Sequence, residues 1–260
     1  MMALITILMP YYNEADFIAA TLESLIAQSD RRFRMVLVDN ASTDDSPAIA
    51  RRIAALATDI QTIHLHEPIP GKLNALRAGL AHVGTPYLAT CDADTIYPPD
   101  YIARCLTMFA CTDAPVGVMA IDLYDERLSE ATRRRIAKVM WKSRRFRSQC
   151  HAGGYAQAFN VQALTAAGGL LNPAWPYVLE DHEVVNRLLH QGRIAYAADH
   201  ICFPSDRRSS RKTVGWTRWE RMVYRFTPRI RKDWFFYRYL GPRLAQRGLY
   251  NIALRDRDWS

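Results

Sequence analysis

Four short apolar runs, each ending in polar residues and followed by a segment of helical periodicity, constrain this chain more than any other feature. Leu4–Met9, Met35–Val38, Ile60–Leu65 and Tyr87–Cys91 have the length and side chains of buried strands. Between them, Phe17, Ile18, Thr21, Leu22, Leu25 and Ile26, then Ile49, Ile53 and Leu56, then Leu73, Leu76 and Leu80 recur at helical spacing. Pro10 is expected to stop the first strand, with Asn13 or Asp16 capping the helix after it. Pro47 suits a first helical position. Strands alternating with helices imply a parallel sheet covered on both faces.

In such sheets ligands bind beyond the carboxyl ends of the strands. Pro10–Glu14, Asp39–Asp44, Lys72 and Asp92–Asp94 all follow strand ends, so they are expected to meet along one edge. Asp92 and Asp94 close the fourth run two residues apart, where the turning chain lets them converge on one cation. Paired carboxylates there suit a hard divalent ion, Mg²⁺ or Mn²⁺, which also takes phosphate oxygens. The competing reading is a solvated turn with Asp94 as a cap. Neither G-x-G-x-x-G after the first strand nor G-x-x-x-x-G-K-[ST] occurs, which argues against a standard dinucleotide cofactor and P-loop ATP chemistry.

The chain's 260 residues allow one large domain or two small ones, and 49% apolar with 23% charged residues is a globular composition. Five cysteines without a C-x-x-C pair read as reduced thiols of a cytoplasmic protein. No secretory leader is expected, because Met1–Met9 lacks a basic region and meets Pro10 early. The net charge of +8 is uneven: residues 127–147 carry +8 and 207–260 carry +11, leaving −11 elsewhere. Anionic phosphate, an anionic membrane or nucleic acid would each complement those two segments.

Beyond Pro98 a helix (Tyr101, Ile102, Cys105, Leu106, Phe109) leads to a strand at Val116–Ile121. Residues 129–147 form a basic helix with Ile136, Val139, Met140 and Phe146 as its apolar side. It is either a solvated face or one that meets phosphate or membrane. Gly153-Gly154 would let the backbone approach a ligand. Glu180-Asp181-His182-Glu183 opens a helix whose apolar face is Val184, Val185, Leu188 and Leu189, and acids there are also favourable in a first turn. Asp206–Lys212, with Arg207 and Arg208, follows as a basic loop suited to a lid over a diphosphate. Trp219, Met222, Val223 and Phe226 then share a helical face, with Arg218, Arg221 and Arg225 elsewhere. Together with Trp216, Trp234, Phe235, Phe236 and Tyr237 they suit a membrane interface, or else pack on the core.

Pro10-Tyr11-Tyr12-Asn13-Glu14, then Val38-Asp39-Asn40-Ala41-Ser42-Thr43-Asp44, then Asp92-Ala93-Asp94 resemble the family 2 glycosyltransferases of the GT-A fold, over roughly residues 4–205. The resemblance implies an α/β, Rossmann-like, mostly parallel central sheet flanked by helices. Residues 1–97 would form its nucleotide-binding half and 98–205 its acceptor half, with 206–260 a helical basic and aromatic extension. Asp39 would contact the nucleotide base, with Pro10, Tyr11, Asn13, Glu14 and Lys72 around the nucleotide. Asp92 and Asp94 would hold the ribose and the metal, and Gly153-Gly154 would lie beside the donor sugar. Gly168-Gly169, Trp175-Pro176-Tyr177 and His182 would build the acceptor side. Asp181 would be the general base, with Glu180 orienting. The usual second Asp-Gly of the aspartate motif is Asn40-Ala41 here, and Ala disfavours positive φ. Processive members carry Gln-x-x-Arg-Trp, whereas Arg218-Trp219 follow Gly215.

The function implied is inverting transfer from a nucleotide-diphospho-sugar, a UDP-sugar foremost, to a hydroxyl of a saccharide or lipid-linked acceptor. The enzyme would sit peripherally on the inner face of the cell membrane. Two rivals differ in testable ways. A metal-dependent nucleotidyltransferase would use D-x-D without needing Glu180-Asp181, and commonly has a Gly-rich N-terminal loop absent here. A nucleic-acid-binding module would explain the basic tail, but no nucleic-acid motif supports that partner.

Overall fold

The computed structural model describes residues 2–125, 129–205 and 215–251. Strands β1 (Ile5–Tyr11), β2 (Phe33–Asp39), β3 (Thr62–His66) and β4 (Tyr87–Thr90) pair in parallel in the order β3-β2-β1-β4. Helices α1 (Ile18–Ile26), α2 (Ser46–Ala54) and α3 (Lys72–Leu80) make the crossovers. Tyr11 registers with Asp39, and Asp39 with His66. The loops leaving β1, β2 and β3 therefore start level with one another.

The first half differs from expectation in detail. Pro10 does not stop β1; it lies within the strand, opposite Val38. Leu8 O accepts from Cys91 N, so Pro10, two residues on, turns its donor-free nitrogen to the same side, past the end of β4. Neither Asn13 nor Asp16 caps α1; the N-cap is Phe17, without a side-chain bond. Pro47 sits in the first turn of α2 as expected.

The second half supplies β5 (Thr95–Ile96), α4 (Tyr101–Phe109), β6 (Gly117–Asp122), α5 (Glu130–Arg145), β7 (Gln157–Asn160), α6 (Val161–Ala166), α7 (Glu180–Leu189) and β8 (Ile194–Pro204). The sheet is completed as β3-β2-β1-β4-β7-β6-β8-β5. β7 runs antiparallel between β4 and β6, so four of the seven ladders are parallel. This insertion carries Gly153 and Gly154 to the end of β4. Thr90 Oγ1 donates to the Gly154 and Gln157 carbonyls there.

A separate apolar cluster joins the C-terminal segment to the acceptor half. Phe235, Phe236, Leu240 and Leu244 are fully buried against Trp175, Val178, Tyr224 and Leu249. They come from α8 (Arg218–Phe226), a π-helical stretch (Trp234–Leu240) and α9 (Gly241–Gln246). The expected membrane-facing aromatics therefore divide. Phe235 and Phe236 are core, Trp216 and Tyr237 pack partly buried beside them, and Trp219 and Trp234 stay exposed. Apolar side chains surrounded by other apolar side chains have already left water, so they gain little from a bilayer.

Ala41 adopts the left-handed conformation at φ 56°. The loop holds it there because Asn40 is anchored on both sides. Its amide donates to Glu67 O and Ile69 O, and its Oδ1 accepts from Gly71 N. A Cβ at positive φ costs about 1–2 kcal/mol, partly offset by the extra unfolded-state entropy of glycine. Ala41→Gly is expected to raise stability by about 0.5–1 kcal/mol, read as a higher urea midpoint at unchanged slope.

Candidate active site

Three aligned strand ends build one wall. Asp39 is nearly buried and doubly held: Oδ1 accepts from Ser42 N (3.0 Å) and Oδ2 lies 2.8 Å from His66 Nδ1. Tyr11 is buried beside it, and desolvation with the Asp39 charge raises its phenol well above the ordinary range. Asn13, at φ 50°, fastens the loop instead of facing inward: Oδ1 accepts from Thr43 N (2.8 Å) and Nδ2 donates to Thr43 Oγ1 (3.1 Å). Glu14 N donates to Ser46 Oγ at 2.7 Å. His66 escaped sequence reading, since only the register places it opposite Asp39.

Pro10, Lys72, Asp92, Gly154, Glu180 and Asp181 line the adjoining cleft, with Leu170 and Leu171 opposite. Lys72 Nζ donates to Asp92 Oδ1 at 2.8 Å. Asp92 N donates to Tyr97 Oη, which in turn donates to Tyr155 O. Glu180 and Asp181 open α7 directly after Leu179, itself left-handed at φ 67°. Both carboxyl groups are raised above the ordinary carboxylate range. Desolvation is the main cause for each; the Asp181 charge raises Glu180 further, and Lys72 opposes the rise at both. The His182 and Gly154 N–H groups hold Asp181 lower than burial alone would. A Cβ at Gly154 would reach into this cleft, in ordinary contact with Asp181 Cβ at 3.6 Å and Lys72 Nζ at 3.9 Å.

This arrangement sets a carboxylate able to take a proton beside a lysine and a strand-end aspartate. A family model described as glycosyl transferase family 2 matches residues 6–165. The chain belongs to that family. It is 31% identical over 119 residues to the undecaprenyl-phosphate 4-deoxy-4-formamido-L-arabinose transferase of Sodalis glossinidius, covering 44% of this chain and 36% of that protein. It is 33% identical over 118 residues to the succinoglycan biosynthesis protein ExoA of Rhizobium meliloti, covering 44% and 35%. The chain thus spans well under two thirds of the length of these curated relatives.

Among solved structures, the mannosyltransferase PcManGT of Pyrobaculum calidifontis, in complex with GDP-Man and Mn²⁺, has a TM-score of 0.70 at 21% identity, covering 92% of this chain and 70% of that one. TarS of S. aureus with UDP-GlcNAc has a TM-score of 0.61 at 13% identity, covering 91% and 71%. These likenesses establish the GT-A fold for this glycosyltransferase.

The remaining expected residues of this family 2 enzyme divide by burial. Asp94 faces a neighbouring cavity with Tyr124 and Ser205, not the cleft that Asp92 lines. Ser205 Oγ donates to its Oδ2 at 3.4 Å. Among the described residues, no group of three or more His, Cys, Asp or Glu side chains clusters to hold a metal. Asp92 and Asp94 belong to one turn but line different cavities, and Lys72 Nζ already engages Asp92 Oδ1. Arg207 and Arg208 lie outside the described residues.

On the acceptor side, Trp175 is corrected from a ligand contact to a scaffold residue. It is 2% exposed, its indole N–H bonds Val178 O, and its ring packs edge-on to Tyr177 and Phe236. Tyr177 is partly buried and bridges Tyr250. His182 packs on Trp216, 4.6 Å between ring centroids.

Glu183 is structural. It is 1% exposed, ion-paired to Arg187 at 2.8 Å, and accepts from Asn172 Nδ2 at 2.8 Å and from Tyr237 Oη. Removing one partner of a buried pair strands the other. Glu183→Ala is expected to cost about 3–5 kcal/mol, measured by urea unfolding. A loss below about 1 kcal/mol would mean the network contributes little.

Proposed function

We propose that this glycosyltransferase moves a sugar from a nucleotide diphosphate, a UDP-sugar foremost, to an acceptor hydroxyl with inversion of the anomeric carbon. The observation that carries the reading is Asp181. It sits in the cleft beside Gly154, Lys72 and Asp92, with a raised carboxyl that His182 N–H orients. Asp181 takes the acceptor proton as the hydroxyl oxygen bonds to the anomeric carbon and the diphosphate leaves from the opposite face. A single displacement inverts that carbon. Glu180 orients the acceptor, and Lys72 supplies positive charge near Asp92 and the leaving group. Asp94, with Asp92 on the same turn, would hold a divalent ion, Mn²⁺ or Mg²⁺. Bound there, the ion supplies charge neutralisation for the diphosphate. The solved Mn²⁺ complex of the archaeal mannosyltransferase supports this assignment.

Asp39, fixed between Ser42 N and His66, is the group for the base, with Tyr11 beside it and Pro10 on the cleft side. A carboxylate oxygen there accepts the uracil N3–H. The acceptor is a saccharide or a lipid-linked saccharide, and the enzyme works at an anionic membrane surface. Trp219, Phe226, Ile230 and Trp234 are exposed among arginines, which supports that location. Among the described residues no helix is long and apolar enough to cross a membrane.

The reading is tested by a nucleotide-sugar hydrolysis screen with Mn²⁺ or Mg²⁺, where sugar must be released without pyrophosphate. Release of pyrophosphate would identify a nucleotidyltransferase instead. Asp181→Asn is expected to lower kcat roughly 10²–10⁴-fold with donor affinity nearly intact. Because Asp181 works ionised and its carboxyl is raised, wild-type kcat/KM should fall as pH drops through weakly acidic values, above the usual carboxylate range. That limb should vanish in the variant. Calorimetry separates the donor half: UDP should bind better with Mn²⁺ than in EDTA, and Asp94→Ala should erase the difference. Equal binding of UDP and GDP would remove the uracil contact at Asp39.

A further inference from the structure

A second cavity, of about 300 Å³, opens beside the catalytic cleft between α5 and α8. Gly153 and His182 line it, each one residue from Gly154 and Asp181 of the cleft. Five cations converge on it: Arg135, Lys138 and Lys142 from α5, Arg221 and Arg225 from α8. Asp122 is the carboxylate in its lining, and Arg135 and Tyr155 already engage it. Among the described residues Lys138, Lys142 and Arg221 have no carboxylate within ion-pair distance. Burial lowers the Lys142 ammonium, and the charges of Lys138, Arg225, Arg135 and Arg221 lower it further. Fold stability alone does not favour such mutual repulsion. His182 Nδ1, buried and without a hydrogen-bond partner, completes the lining.

α8 has a second face beside this one. Trp219, Met222 and Phe226 are 65%, 49% and 74% exposed and border an open apolar groove that reaches Trp234. One helix, about 10 Å across, thus separates a polycationic cavity from an apolar strip. A ligand matching both carries phosphate on an apolar chain.

We propose that this cavity is the phosphate subsite for the acceptor. Its ligand is a phosphate or diphosphate diester that joins a long apolar chain to a saccharide, bound so that the saccharide beyond the phosphate reaches Asp181. The proposal rests on the glycosyltransferase reading and names its acceptor class. Phosphate oxygens accept charge-assisted hydrogen bonds from Lys142, Arg221 and Arg225, and His182 Nδ1 meets the ligand's polar end. The apolar chain leaves over Trp219 and Phe226 toward the bilayer.

Calorimetry of the full chain with decyl phosphate, inorganic phosphate and decyl maltoside as probes tests this. Decyl phosphate should bind at least tenfold more tightly than either single-feature probe. Lys142→Ala and Arg221→Ala should each weaken it about tenfold, while Trp219→Ala should weaken decyl phosphate but not inorganic phosphate. The two charge variants should melt at the same or a higher temperature, because each relieves repulsion. Equal binding by wild type and charge variants would overturn the site. Inorganic phosphate binding as tightly as decyl phosphate would overturn the lipid assignment. Displacement of decyl phosphate by UDP with Mn²⁺ would give the cavity to the donor instead. Failure of UDP to bind at all would sink the glycosyl-transfer reading while leaving the phosphate result standing.

Discussion

One buried carboxylate ties α7 to the loop before it and to the C-terminal segment. Glu183 holds Arg187 one turn along α7, Asn172 in the preceding loop and Tyr237 in the π-helical stretch. Arg187 extends the web to the Ala167 and Gly169 carbonyls, at 2.6 and 2.7 Å. A charge so far from water is tolerable only when paired and hydrogen-bonded on all sides. These bonds fix the rotation of α7, and the rotation of α7 aims Glu180 and Asp181 into the cleft. The left-handed Leu179 just before them is a conformation a leucine resists, and packing against the C-terminal cluster holds it. Glu180 and Asp181 are thus positioned from behind, by residues outside the cleft lining.

Electrostatics divides the molecule along the same line. The strand-end wall is acidic, and Lys72 is the cation that lines the cleft between Asp92 and the carboxylates of α7. The facing α5–α8 wall is cationic. Fields of opposite sign on adjoining walls steer oppositely charged groups apart before any specific contact forms. Burial matters as much as sign. The raised carboxyl groups of Glu180 and Asp181 reflect desolvation first, and the His182 N–H, the Lys72 charge and the Gly154 N–H offset part of that rise at Asp181.

The sequence made the parallel half of the sheet legible because β1, β2 and β4 are apolar runs that are almost wholly buried, with β3 the half-buried edge beside them. Pro10–Glu14, Asp39, Lys72 and Asp92 followed, since strand order alone sends them to one edge. β7 escaped because Gln157 and Asn160 interrupt its pattern and its partner β4 lies about seventy residues earlier. β8 was hidden by Asp199 and His200 midway. The helices of the C-terminal segment were visible, but which aromatics face outward was not. α8 shows Trp219 and Phe226 to solvent, whereas Phe235 and Phe236 in the next stretch are sealed. Periodicity reports which residues share a face, not which neighbour covers it. The cationic cavity needed α5 and α8, about eighty residues apart, to be placed side by side.

The position of β7 has a kinetic consequence. β1 to β4 are joined by short helical crossovers, so that block closes through comparatively local contacts. β6 joins it through β7, whose ladder to β4 spans Tyr87 to Asn160, and β8 pairs both with β6 and with β5, the short strand just after β4. Long loops carry a larger closure entropy and slow the steps that need them. During synthesis the strand-end wall of β1 to β4 therefore emerges first and α7 well after it, with the C-terminal cluster that packs beside Leu179 last. A chain caught between those stages would have the strand-end wall without the carboxylates of α7 that face it across the cleft.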